Sequence, residues 1–120
     1  MTAEDFIDFK TEQWEKRDTV TTKIPLEIGE YKILWKREAF CFLSQSNFPE
    51  KVFVFERLRK EKFEGDVPND AKGIGELEYR ISYYISRNSE KWVFVRFCPL
   101  IPQEDFRKLL QKAKKENVLL

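Results

Sequence analysis

The chain of 120 residues has a length typical of one domain, and its 42% hydrophobic residues are too many for an intrinsically disordered segment. Its formal net charge is only +1, which argues against a dedicated binder of duplex nucleic acid. The chain has no histidine, and this removes the commonest general base and the commonest metal ligand of enzymes.

The predicted elements run helix, five strands, helix. Thr2 and Asp5 form a capping-box pattern at the start of the first helix, about residues 3–16. Its apolar stripe is predicted to contain Phe6, Phe9, Gln13 and Trp14. The strands are predicted over about residues 20–24, 31–43, 51–62, 76–87 and 91–98, and the second helix over about residues 102–116. With short links and no alternating βαβ units, this order predicts a single α+β domain, residues 1–120, with a four- or five-stranded, largely antiparallel sheet.

The alternation of side chains along each strand assigns residues to the two sides of the sheet. In the last hairpin, Tyr79, Ile81 and Tyr83 should face the core. The opposite side collects aromatic and arginine side chains, which are Phe53, Phe55, Arg57, Arg59, Arg80, Tyr84, Trp92, Phe94 and Arg96. Glu56 breaks the apolar alternation of its own strand, and a β-bulge is one explanation.

Rings that stack on bases, combined with guanidinium groups that bind phosphate, are typical of single-stranded nucleic acid recognition. The sequence therefore predicts a small binding module that uses these aromatic and arginine residues to bind single-stranded nucleic acid or another anionic ligand. Local charge agrees, because residues 31–62 carry eight Lys/Arg against four Asp/Glu, a local excess of +4. A structural explanation is also open: a terminal helix or a curling strand covers this side and makes it a second core.

Two alternative functions stay open. The same aromatic side could be an oligomer or protein–protein interface, since such interfaces favour Trp, Tyr, Phe and Arg. Alternatively, Glu76 and Glu78 share one side of a strand and could bind a divalent metal in a phosphodiesterase-like enzyme. A mass that depends on concentration would select the first alternative, and magnesium-dependent cleavage of nucleic acid would select the second.

Weaker sequence signals predict the cellular compartment of the protein and whether it binds a cofactor. No apolar run is long enough to span a membrane, and the N-terminal sequence is acidic where a signal peptide would be basic, so we expect a cytoplasmic protein with no membrane partner. Cys41 and Cys98 lie in apolar runs without the paired spacing of a zinc site. We therefore expect two buried, reduced thiols and no cofactor.

Overall fold

The computed structural model of the protein describes residues 1–26, 29–87, 91–95 and 98–120. Its elements are α1 (Ala3–Glu15), β1 (Thr19–Leu26), β2 (Gly29–Gln45), β3 (Phe48–Gly65), β4 (Leu77–Arg87), β5 (Lys91–Val95) and α2 (Gln103–Lys115). The strands form one sheet in the order β1-β2-β3-β4-β5, and all neighbours are antiparallel. The predicted α+β fold with a helix at each end is therefore confirmed. Within the described ranges, no helix combines the length and the apolar character that crossing a bilayer requires.

The predicted capping box fixes the first turn of α1. The Thr2 hydroxyl accepts a hydrogen bond from the Asp5 backbone N–H at 3.1 Å, and the Thr2 N–H donates to the Asp5 carboxylate at 3.2 Å. The helix then buries Phe6 and Trp14. Phe9, predicted for the same stripe, is 51% exposed, because at 100° per residue Lys10 and not Phe9 lies between the two buried rings.

The two longest strands cannot be straight. β3 has 18 residues and would span about 60 Å if fully extended. The longest dimension of the molecule is 46 Å. The β2–β3 register shifts at three places, one of them between Arg37 and Ala39, where Glu38 has no partner on β3. This places a bulge on β2, and not at Glu56 as the alternation of β3 had suggested.

A helix packs on each side of the sheet. On the α1 side, Phe6 and Trp14 pack against Phe42, Val52, Val54 and Tyr84. On the α2 side, Leu109, Ala113 and Val118 pack against Cys41, Phe53 and Phe55. In the middle of β3, Val52, Phe53 and Val54 are all 0% exposed. The central part of the sheet therefore has two dry sides.

The two cysteines differ in environment. Cys41 is buried on the α2 side, and its burial, with a smaller effect of the Glu116 carboxylate, raises the pKa of its thiol to about 11. Cys98 is exposed. The prediction of two buried thiols is therefore wrong for Cys98, because Cys98 lies outside the strands and before α2.

Candidate functional site

The predicted ligand-binding residues divide between the two sides of the sheet. In the β3–β4 pairing, Phe53 lies opposite Tyr83 and Glu56 lies opposite Arg80. Since directly opposite residues point to the same side, the predicted set separates into two groups. Phe53, Phe55, Arg57 and Arg59 lie on the α2 side, whereas Arg80, Tyr84, Trp92 and Phe94 lie on the α1 side. The prediction of one shared side is wrong, and Arg96 lies outside the described residues.

The error is one residue of register between β3 and β4. Alternation normally fixes the register of a strand pair because only one of the two sides is apolar. Here both sides of β3 are apolar at Val52, Phe53 and Val54, since each side packs against its own helix. The assumption that one side of the sheet faces water was therefore the source of the error.

The aromatic residues of the α1 side are occupied within the fold. The Trp92 ring stacks on Phe6 with centroids 4.9 Å apart, and its indole N–H donates to the Met1 carbonyl at 3.1 Å. Phe94 packs edge-on against Tyr84 at 5.3 Å. Both Trp92 and Phe94 are partly buried against the cluster that α1 completes. The structural explanation, in which a terminal helix covers this side, is confirmed for these residues.

The three described arginines of the predicted set bond to groups of the protein itself. On the α2 side, Arg59 donates to the Glu38 carboxylate at 2.7 Å, and Arg57 donates to the same carboxylate at 3.4 Å. Arg57 also donates to the Asn117 carbonyl just beyond α2, at 2.6 Å. Arg80 donates twice to Glu56, at 2.8 and 3.0 Å. Their role in phosphate binding stays a prediction, and the contacts described here are structural.

Glu56 is the centre of a buried ion triad on the α1 side. Its side chain is 0% exposed, and it accepts hydrogen bonds from Arg80 and, at 2.8 Å, from Nε of Arg37. Removing a carboxylate from water costs several kcal/mol unless partners compensate, and two guanidinium groups do so here. Glu56, the exception in the alternation of β3, is thus a buried charge with partners on the two neighbouring strands. One carboxylate and two guanidinium groups give the triad a net charge of +1.

A pocket of about 230 Å³ adjoins this triad, where α1 meets β1, β2 and β4. The lining residues are Lys10, Gln13, Trp14, Arg17, Thr19, Val20, Arg37 and Tyr84. Residues three, four and seven positions apart share one side of a helix, and this spacing brings Lys10, Gln13 and Trp14 together and carries Arg17 to the same place just after α1 ends. The α1–β1 link then returns the chain along the pocket at Thr19.

The pocket is strongly basic because it combines Lys10, Arg17 and Arg37. The Arg37 guanidinium lies 3.5 Å from the centre of the Trp14 ring, and it donates to the Arg17 carbonyl at 3.1 Å. Neither Lys10 nor Arg17 ion-pairs with a carboxylate of the described residues. Among the described residues, the carboxylate that ion-pairs with one of these three cations is Glu56, which Arg80 also shares.

Two titrating groups report on this environment. Burial lowers the pKa of Lys10 from its ordinary value of 10.5, and the charges of Arg37 and Arg17 lower it further. Burial raises the pKa of Tyr84 to about 12, and the Glu56 carboxylate adds to this effect. At neutral pH the pocket thus presents an un-ionised Tyr84 phenol group, and burial and neighbouring cations disfavour the charged form of Lys10.

Sequence reasoning missed Lys10, Arg17 and Thr19 as site residues. A signal was present: Lys10, Gln13 and Arg17 continue the helical spacing of Phe6 and Trp14, so the side of α1 that faces the sheet becomes polar at its C-terminal half. The place of Arg37 in the pocket depends on the β2–β3 register.

The structure offers no contact that favours the metal-dependent alternative. Glu78 is 53% exposed and lies 3.9 Å from Nζ of Lys60. A Cβ added at Gly73 would contact both the Glu76 carboxylate and Nζ of Lys60. The Lys60 ammonium group therefore lies near both glutamate side chains. In the part of the chain that the structure describes, no group of three or more His, Cys, Asp or Glu side chains could hold a metal ion. A phosphodiesterase-like activity at Glu76 and Glu78 stays a prediction.

The interface alternative has one supporting observation, on a surface other than the predicted one. Tyr79 on β4 and Val93 on β5 are 41% and 49% exposed. Both lie on the α2 side of the sheet. Self-association through this surface stays a prediction.

Comparison of the chain with protein-family models gives no match, and neither curated proteins nor solved structures give one. The fold and the site define this protein as a small α+β domain with a basic pocket between its N-terminal helix and its sheet.

Proposed function

We propose that the protein is a binding module for an anionic ligand, and that the ligand binds in the pocket between α1 and the sheet. The observation that supports this proposal is the convergence of Lys10, Arg17 and Arg37 on one cavity of about 230 Å³. Opposite charge is the first requirement of an anion site, and a partly enclosed cavity strengthens each interaction because it excludes water.

The protein holds one cation of the pocket, Arg37, in a fixed position, whereas the side chains of Lys10 and Arg17 make fewer hydrogen bonds to described residues. Arg37 is 8% exposed and is held by Glu56, by the Arg17 carbonyl and by the Trp14 ring, so it gives the pocket a rigid positive wall. Lys10 and Arg17 lie at the pocket's α1 side, where Nζ of Lys10 donates to the neutral Gln13 side chain at 3.0 Å and lies 5.4 Å from the centre of the Tyr84 ring. An incoming anion would therefore gain charge-assisted hydrogen bonds without first breaking a salt bridge.

The basic pocket supports binding of a small anionic ligand better than binding of single-stranded nucleic acid. Single-stranded nucleic acid binding needs exposed rings on which bases stack. On the α1 side, Trp92 stacks on Phe6 and Trp14 is covered by Arg37. An anion that needs charge and hydrogen bonds, and no stacking surface, fits these contacts.

Removing one pocket cation should weaken anion binding. Lys10→Ala and Arg17→Ala should each reduce the affinity for inorganic phosphate about tenfold, since a hydrogen bond to a charged group contributes about 1.5–3 kcal/mol. The affinity is measured by calorimetric titration at low salt. Lys16→Ala is the matched control, because Lys16 is 77% exposed and pairs with Glu12 away from the pocket. Equal losses for Lys16→Ala and Arg17→Ala, or no phosphate binding by the unchanged protein, would contradict the proposal.

Once inorganic phosphate is dianionic, its affinity should fall as the pH rises toward 10.5, and it should begin to fall earlier than an ordinary lysine would allow. The free protein has a lowered Lys10 pKa and a bound anion raises it, so the bound state carries more protons between these two values and alkali favours release. Tyr84 stays neutral below its pKa of about 12, so it does not change charge over this pH range. Lys10→Arg should flatten the profile, and an unchanged slope in that variant would exclude Lys10 as the titrating group.

A further inference from the structure

The neutral lining of the basic pocket carries information about the ligand beyond its charge. Gln13 contributes a side-chain amide, Thr19 a hydroxyl and Tyr84 a phenol. The apolar contribution is small, because Trp14 and Val20 are each 8% exposed and Arg37 covers the Trp14 ring. Amide and hydroxyl groups both donate and accept hydrogen bonds, and therefore suit the hydroxyl groups of a ligand.

The volume of the pocket limits the size of the ligand. A volume of about 230 Å³ is smaller than the roughly 300–1,000 Å³ that drug-sized ligands occupy. It holds a phosphate group with a short hydroxylated carbon chain. A purine or pyrimidine ring would need a flat apolar surface. Of the two rings that line the pocket, Trp14 is already stacked with Arg37 at 3.5 Å and Tyr84 is only 7% exposed.

Charge points to phosphate in preference to carboxylate. A phosphate monoester carries about −1.5 to −2 at neutral pH and has three acceptor oxygens, whereas a carboxylate carries a single charge and has two. Lys10, Arg17 and Arg37 supply three cationic groups around one cavity, and Glu56 is already shared between Arg37 and Arg80. The excess of positive charge fits the dianion.

We infer that the pocket between α1 and the sheet binds a phosphate monoester of a small polyol, such as a sugar phosphate. Lys10, Arg17 and Arg37 hold the phosphate, and Gln13, Thr19 and Tyr84 bond to the hydroxyl groups. This inference rests on the proposed function, and it adds the chemical class of the ligand.

Calorimetric titration with ribose phosphate, inorganic phosphate, ribose and a short oligothymidylate tests the inference. Ribose phosphate should bind about tenfold more tightly than inorganic phosphate, since two additional hydrogen bonds account for such a factor, and ribose alone should show no binding. Gln13→Leu combined with Thr19→Val should remove this preference, so that the variant binds ribose phosphate and inorganic phosphate with affinities that agree within about twofold.

The possible failures are distinguishable. Equal affinities for ribose phosphate and inorganic phosphate would overturn the sugar phosphate inference and leave the anion pocket in place. Tighter binding of oligothymidylate than of ribose phosphate would also overturn it, in favour of a polymer. Failure of all the anions to bind would overturn both this inference and the proposed function.

Discussion

Glu56→Gln should lower the free energy of unfolding by about 3–5 kcal/mol, the cost typical of breaking a buried ion pair by removing one partner. The carboxylate accepts from Arg37 at 2.8 Å and from Arg80 at 2.8 and 3.0 Å, with no exposure to solvent. A glutamine has the same shape, but its amide nitrogen would point a donor at a guanidinium group. It would also leave Arg37, which is only 8% exposed, without a counter-charge.

Glu38→Gln is the matched control, since Glu38 also holds two arginines. Its side chain is 21% exposed and that of Arg59 is 40% exposed, so water can replace part of what is lost. Arg57 and Arg59 also keep carbonyl partners at Asn117 and Gly75. We expect a loss of about 1 kcal/mol or less in urea unfolding. Equal destabilisation by the two glutamine variants would contradict the assignment of Glu56 as the structural charge of the core.

Phe53→Ala should cost about 3–5 kcal/mol, because it removes a fully buried ring and leaves a cavity. Phe53 packs beneath α2 with Leu109 and Ala113, so its loss also weakens the attachment of the C-terminal helix. With a total stability of roughly 5–15 kcal/mol for a domain of this kind, the variant could be largely unfolded. Urea unfolding followed by tryptophan fluorescence measures the change.

Two control variants test whether the effect of Phe53→Ala comes from the loss of a buried ring. Phe53→Leu preserves most of the volume and should cost less than about 1.5 kcal/mol while the protein stays folded. Phe106→Ala removes the same ring type from α2, where Phe106 is 43% exposed, and should stay within about 0.5 kcal/mol. If Phe53 were a surface for stacking bases, Phe53→Ala would be as mild as Phe106→Ala.

The elements of this fold could be predicted because their signals are local. The Thr2–Asp5 capping pattern, the apolar stripe of α2 around Leu109 and the alternation along β3 each depend on residues close in the chain. A meander of neighbouring antiparallel strands then follows from short connections. The exposed position of Phe9 shows the limit of such signals, because the stripe of α1 could be centred on either side of it.

The site could not be predicted, because it depends on how elements are placed against each other. Glu56 meets Arg80 only through the β3–β4 register, and it meets Arg37 only because of the bulge at Glu38. One residue of register decides which aromatic side chains are neighbours, and a sheet covered on both sides gives no alternation to fix it. Arginine and tryptophan share one side of the sheet for a structural reason: α1 covers that side, and Arg80 there neutralises a buried carboxylate.

The central claim, that an anion binds between α1 and the sheet, is tested most directly by mapping amide chemical-shift changes in the isotope-labelled protein during titration with ribose phosphate. We predict that the largest changes fall on residues 10–19 and on Arg37 and Tyr84, where the pocket is lined. Residues of α2 such as Arg107, Lys108 and Lys115, basic but remote, should not shift. Changes centred on α2 or on β5, or spread evenly over all basic surfaces, would contradict the assignment of the pocket as the binding site.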